Sequence, residues 1–178
     1  MPLQIIIDTR EQTPWGFPDD EVTAVRGTLS AGDYALAGDD KFAIERKSLD
    51  DFLGTISTGW ERFNRELDRM DEAGHIAKVM IIEADFIECC FQEKDGKLIS
   101  PQHNHPGIKP SFVVARIADL TLRGVSVLFA NNHILASGMA ITIFRHRQRQ
   151  LEIEKAINQN ERNSNDNGGS PLCGETEA

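Results

Sequence analysis

Three observations predict an α/β fold, a mixed β-sheet flanked by helices. After residue 48, short apolar runs of strand length alternate with segments of helical period. Before it, two strand-like runs flank Gly38-Asp39-Asp40 as a hairpin. Apolar content of 40% and charged content of 26% are those of an ordinary globular chain. With 178 residues there is enough chain for one full domain with a core.

The elements follow in order. Gln4 to Ile7 is a β-branched run that reads as a buried strand ending at Asp8. Thr9 to Asp20 is a loop broken by Pro14, Gly16 and Pro18. Val22 to Leu29 alternates and gives a second strand, and Tyr34 to Ala37 with Phe42 to Arg46 makes the hairpin. Ser48 is placed to cap a helix to about Ile56, with Asp50 and Asp51 in the first turn where the helix dipole favours acids. In the next helix, Gly59 to Glu72, the helical spacing of Trp60, Phe63, Leu67 and Met70 defines a buried face, and Gly74 is the stop. Ala77 to Ile82 is a buried strand, Asp85 to Phe91 a short helix, and Gln92 to Pro110 a polar loop with a Lys-Asp-Gly-Lys turn. Ser111 caps a helix through Leu122, Gly124 ends it, and Val125 to Phe129 is a strand. A last helix starts at Asn131 or Asn132 and continues to about Ile157. From Asn158 the composition shifts to Asn, Ser, Gly and Glu, which reads as disorder. The expected division is therefore a domain over 1–150, then the end of the last helix and a polar tail over 151–178. There is no internal repeat.

Several classes are disfavoured. No apolar run approaches the roughly 20 residues of a membrane span, and the N-terminus lacks a basic segment followed by a long apolar one. The cysteines are Cys89, Cys90 and Cys173, an odd count with two adjacent, which points to a reducing, intracellular setting. Cys89 and Cys90 with His103 and His105 do not match zinc-ligand spacing and read as buried thiols and loop histidines. Net charge is −9, to which residues 151–178 contribute six acids against two bases. Any contact with nucleic acid must then use local basic faces. Arg62, Arg65 and Arg69 form one stripe, which also suits intrahelical ion pairs. Arg145, His146, Arg147 and Arg149 form the densest basic patch, which binds phosphate or complements a helix end. Trp15, in a Pro-Trp-Gly loop, is a candidate for stacking on a base, whereas Trp60 reads as core.

The chemistry concentrates in Gly32-Asp33-Tyr34 and Glu45-Arg46-Lys47. Residues i and i+2 of a strand share a face, so Glu45 and Lys47 point together and Asp33 reaches them across the hairpin. Two carboxylates offer hard oxygen ligands to Mg²⁺, and a neighbouring lysine orients a water. That set suits phosphodiester hydrolysis; its plain alternative is a surface ion pair beside a turn aspartate. Asp8-Thr9-Arg10-Glu11 ends the first strand and can join the same site.

These residues resemble a known family. Ile5-Ile6-Ile7-Asp8-Thr9-Arg10-Glu11, Gly32-Asp33-Tyr34 and Ile44-Glu45-Arg46-Lys47-Ser48-Leu49-Asp50-Asp51-Phe52 are similar to the nuclease domain of the XPF family, structure-specific endonucleases of the PD-(D/E)xK superfamily. The similarity runs over about residues 3–150 and includes Arg62, the strand ending at Glu83 and the strand–helix unit at 125–147. It implies a restriction-endonuclease-like sheet. It implies Asp33 and Glu45 as Mg²⁺ ligands, with Asp8 a further ligand or supporting acid and Lys47 positioning the water. Arg10, Glu11 and Arg46 would order the site or touch phosphate, and Asp51 would hydrogen-bond within the cluster. The similarity also implies DNA contacts, for which Arg62, Arg65, Arg145, Arg147 and Trp15 are the candidates. Two features depart from the family: Trp60-Glu61-Arg62-Phe63 stands where Gly-Arg-Leu is frequent, and no tandem helix-hairpin-helix domain follows. The reading is a stand-alone, Mg²⁺-dependent DNA endonuclease, with Mn²⁺ able to substitute. Its substrates would be branched or flapped duplexes in repair, recombination or replication. The expected setting is a homodimer, cytoplasmic or nucleoid-associated, from a prokaryote or virus. The alternative from another class is a non-catalytic DNA-binding or scaffold subunit that needs a nuclease partner.

Overall fold

The computed structural model describes residues 2–99, 105 and 107–166. Its strands are β1 (Leu3–Asp8), β2 (Val22–Gly27), β3 (Tyr34–Leu36), β4 (Phe42–Lys47), β5 (Ala77–Ile82), β6 (Gln92–Lys94), β7 (Lys97–Ile99) and β8 (Val125–Phe129). Its helices are α1 (Leu49–Ile56), α2 (Trp60–Glu72), α3 (Phe86–Cys90), α4 (Pro110–Leu122) and α5 (His133–Asp166). Six strands form one sheet in the order β2-β1-β3-β4-β5-β8. β3 runs antiparallel to β1 and β4, and the remaining pairs are parallel, so the sheet is mixed as expected. Among the described residues no helix is long and apolar enough to cross a membrane.

The core explains the order. Phe52, Leu53 and Ile56 of α1, Phe63, Leu67 and Met70 of α2, and Val113 and Leu120 of α4 pack with Met80 and Ile82 of β5. Glu45 and Lys47 stand opposite Met80 and Ile82 in the parallel register, so both point to this helix-covered face. Arg46 stands opposite Ile81 and points the other way. The start of α5 contributes Ala136, Ala140 and Phe144, all buried, with Phe144 edge-on to Phe42 of β4. The chain divides into a unit over Met1–Phe144 and a unit over Arg145–Ala178, with α5 passing from one into the other.

Local signals behave as the chemistry dictates, with three differences. Ser48 caps α1 through its hydroxyl, which accepts from the Asp51 amide, and Asn132 caps α5 by accepting from the Ile134 and Leu135 amides. Helix α4, however, is entered through Pro110 with Lys109 at the cap position, so Ser111 sits inside the first turn. Proline's fixed φ already suits that position, and its missing amide removes one unsatisfied donor. The polar segment after α3 contains the hairpin β6–β7. Asp95 and Gly96 turn it with φ of 53° and 72°, a two-residue turn whose twist matches the strands. Helix α5 continues to Asp166, past the composition shift at Asn158. Extending an existing helix needs no new nucleus, so Gln, Glu and Arg in this stretch prolong it despite poor neighbours. The rest of the expected tail, 167–178, lies outside the described residues, as does His103 of the histidine pair.

The sheet carries the chemistry on a tight crossing. Gly32 precedes Asp33 with φ of +71°, and a Cβ there would stand 2.7 Å from Ala43 Cβ and 3.2 Å from the Ile44 carbonyl oxygen. Glycine is required both for the left-handed backbone and for the close approach of the two strands. Replacing Gly32 with Ala is expected to cost about 2–3 kcal/mol, read as a lowered midpoint in chemical denaturation. An unchanged midpoint would count against the crossing as drawn.

Candidate active site

Asp33, Glu45 and Lys47 meet at the end of the β3–β4 hairpin. The hairpin brings them together because Asp33 donates its amide to the Ile44 carbonyl at 2.9 Å, one residue from Glu45. The Lys47 ammonium sits 2.6 Å from Glu45 Oε1, both side chains less than a fifth exposed. Asp33 Oδ2 accepts the Arg46 backbone amide at 2.8 Å, and among the described residues its Oδ1 accepts no hydrogen bond. Burial, then the charge of Glu45, pushes the Asp33 carboxyl up to about 7. Burial also pushes Glu45 upward, against the pull of Lys47. For Lys47, burial acts downward, but the adjacent Glu45 outweighs it and the ammonium is held more firmly charged. Two buried carboxylates that resist ionising together form a site that gains from a cation.

The residues fit such a cation. Among the described residues, no three His, Cys, Asp or Glu side chains are arranged as a metal cage. A Mg²⁺ ion does not need one: it is typically held by one or two carboxylates and keeps several waters. Asp33 and Glu45 have the chemistry of such a pair, with Oδ1 of Asp33 offering an oxygen.

Of the two roles the resemblance implies for Asp8, further ligand or supporting acid, its hydrogen bonds favour the second. Oδ1 accepts from the Arg10 amide and Nε at 2.8 and 2.7 Å, and Oδ2 from Arg10 Nη2 and the Leu29 amide at 3.1 and 2.7 Å. Four donors occupy the four lone-pair positions of a carboxylate, leaving none for a metal. The Arg10 hydrogen bond, aided by those amides, lowers Asp8 to about 2. Arg10 also donates to the Leu29 carbonyl, so the pair staples the end of β1 to the segment after β2. Asp51 likewise belongs to a cap: it is exposed, and its hydrogen bonds are with Ser48 alone.

On the other face of β4 the Arg46 guanidinium commits four of its five N–H donors. It donates from Nε and Nη2 to the two oxygens of Glu83, each at 2.8 Å, and from Nη1 to Thr13 Oγ1 at 2.9 Å and Glu11 Oε1 at 3.4 Å. Arg46 and Glu11 therefore order the site, and Arg46 does not reach out to phosphate. Trp15 is corrected from a base-stacking candidate to a core residue. It is 4% exposed, stacked on Tyr34 at 4.3 Å, and its indole N–H donates to Glu83. Its amide donates to the Tyr34 hydroxyl, 19 positions away.

Arg62, Arg65 and Arg69 are exposed on α2, and no ion pair engages them among the described residues. Arg145 and Arg147 belong to the second unit, where Arg147 pairs with Glu154 at 3.1 Å. Trp60 is half-buried beneath the Arg116 guanidinium, 4.2 Å from the ring centre. Two residues escaped sequence reasoning. Glu83 looked only like the end of a strand. Glu66 looked like one acid among several on α2, yet it lines one narrow cleft with Gly32 and Glu45 and adds negative potential at Glu45 and Lys47.

Comparison with known proteins places the chain in a family and agrees with its fold. The ERCC4 domain family matches residues 7–139, well over half of the chain. The fold is similar to XPF from Aeropyrum pernix at 18% identity and a TM-score of 0.58, covering 86% of this chain and 69% of that one. It is also similar to XPF from the same organism in complex with DNA, at 19% identity and a TM-score of 0.60, covering 83% and 66%. No curated protein matches the chain by sequence.

The raised Asp33 carboxyl has a consequence for stability. Unfolded, the group ionises near 4; folded, near 7. Between those values the unfolded chain holds fewer protons, so stability falls as pH rises through this window. In metal-free protein, Asp33→Asn is therefore expected to raise the melting temperature at pH 8, by about 2 kcal/mol equivalent, and to change it little at pH 4. A variant no more stable at pH 8 than at pH 4, relative to wild type, would remove the repulsion argument.

Proposed function

The chain belongs to the ERCC4 domain family, a nuclease-type domain, and from that premise we propose that it is a divalent-metal-dependent DNA endonuclease. The observation that carries the reading is the meeting of Asp33, Glu45 and Lys47 at one end of β4. Asp33 and Glu45 would hold Mg²⁺, for which Mn²⁺ can substitute. The cation, when bound, supplies a water of lowered pKa and positive charge against the phosphate. Lys47 remains an ammonium in this setting and acts as a donor: it orients the attacking water and meets charge that builds on the phosphoryl oxygens. Glu45 is its acceptor in the present geometry, which keeps Lys47 aimed into the cleft. The Arg46 amide fixes the rotation of the Asp33 carboxylate.

DNA as the polymer is supported by the family and by the solved XPF complex with DNA. Arg62 and Arg65, exposed and, among the described residues, unpaired on the helix that also carries Glu66, are the phosphate contacts we propose within the first unit; in the second it is the exposed Arg145, because Arg147, expected alongside it, is buried and paired with Glu154. Branched or flapped duplexes, a homodimer and an intracellular setting follow from the family resemblance and belong to the same proposal.

Cleavage of labelled 3′-flap, fork and linear duplexes in Mg²⁺ tests the reading. The wild type is expected to cut branched substrates, and Asp33→Ala and Lys47→Ala each to lower the rate by roughly 10²-fold or more. Folded wild type that binds DNA yet cuts nothing in Mg²⁺ or Mn²⁺ would make the chain a DNA-binding or scaffold subunit instead.

A further inference from the structure

Glu83 has no part in the chemistry above, yet it holds the tripeptide that carries it. It follows β5 directly, beside the end of β4. Its amide donates to the Lys47 carbonyl at 2.8 Å. Its carboxylate accepts the Arg46 guanidinium at two points, both 2.8 Å, a geometry that fixes the guanidinium plane as well as its distance. A third donor, the Trp15 indole, closes on Oε1 at 2.5 Å. One residue thus grips Arg46 by its side chain and Lys47 by its backbone.

The consequence reaches the other face of the strand. Arg46 points away from the Glu45 and Lys47 side chains, so the Glu83 carboxylate reaches neither of them and contacts no reacting group. The Arg46 amide, however, is the donor that sets Asp33 Oδ2. Turning the Arg46 peptide turns that amide and tilts the carbonyl between Arg46 and Lys47. The same guanidinium reaches Thr13 and Glu11, so the loop after β1 depends on the same clamp. With the Arg46 side chain only 14% exposed, its charge has little water to fall back on when Glu83 is neutralised.

We propose that Glu83 is a positioning residue: by clamping Arg46 and Lys47 it holds the Asp33 and Glu45 carboxylates in convergence on one cation. The catalytic consequence rests on the nuclease reading; the convergence itself does not.

Glu83→Gln tests it, because glutamine keeps the amide, the shape and one acceptor oxygen while losing the charge and the second acceptor. Three effects are expected. The rate constant kcat for branched DNA falls about 10–100-fold, the range for partners that orient ligands, with KM little changed. The affinity for Mn²⁺, measured by calorimetry without DNA, falls about 10-fold. The Arg46 amide resonance moves in the metal-free protein. Val113→Ala, a fully buried core site on α4, controls for simple destabilisation and is expected to lower the melting temperature while keeping kcat, Mn²⁺ affinity and the Arg46 resonance. A Glu83→Gln protein that matches wild type in all three, or changes only as Val113→Ala does, overturns the proposal. If the wild type cuts no DNA, the nuclease reading fails on its own, and Mn²⁺ affinity and the Arg46 resonance still decide the role of Glu83.

Discussion

The burial of Asp33 beside a second carboxylate, Glu45, is the constraint to which the centre of this molecule answers. Burial first, and the charge of Glu45 second, push Asp33 up to about 7, because two carboxylates in a partly buried space cannot both ionise cheaply. The fold meets this with two back-to-back charge networks built from the alternation of one strand. On the helix-covered face, Lys47 neutralises Glu45. On the opposite face, Glu83 and Glu11 neutralise Arg46. The amide of Arg46, lying in the strand itself, links the faces by donating to Asp33. The tripeptide Glu45-Arg46-Lys47 is thereby held on both sides by groups of opposite sign, and each side depends on the pleat that separates it from the other.

Asp8 and Asp33 show how the same side chain takes opposite roles within one motif. Asp8 receives four donors and ionises near 2; Asp33 receives one and ionises near 7. The first is locked into structure, because each of its lone pairs is already used. The second keeps an oxygen open and a charge that the protein does not fully compensate. The number of donors aimed at a carboxylate, rather than its place in a motif, separates a strut from the ligand proposed here.

That distinction also marks what the sequence could and could not convey. The order of strands and helices, the Ser48 cap and the convergence of Asp33, Glu45 and Lys47 are local or period-two facts, and each was legible from neighbours a few residues apart. The fate of Trp15 is set by partners far along the chain, and that of Asp8 by Arg10 two residues on together with one distant amide. Trp15 is buried by Tyr34 and Glu83, 19 and 68 positions away, and nothing in Pro14-Trp15-Gly16 announces either. Asp8 is saturated partly by Leu29, 21 positions on. Asp51 was drawn toward the carboxylates by its motif position, but the nearest competing donor, the Ser48 hydroxyl, is three residues away and wins. The hairpin at Asp95-Gly96 was visible as a turn, while its flanks, three residues each, are too short for alternation to register.

The Glu45–Lys47 pair bears on how the site accepts a cation. Each member satisfies the other at 2.6 Å, and a divalent ion drawn to Glu45 must compete with an ammonium already in place. A monovalent cation offers no more charge than the lysine and gains little by replacing it. A divalent ion offers twice the charge to two carboxylates at once, and Asp33, whose own repulsion from Glu45 is relieved in the same step, adds its open oxygen. In the proposed nuclease the lysine would act as a threshold: it leaves Glu45 compensated in the present geometry, and a divalent ion would compete with it for that carboxylate better than a monovalent one. In the proposed hydrolysis, loading of the site and placement of Lys47 would then be coupled, because both turn on the one contact between Glu45 and Lys47.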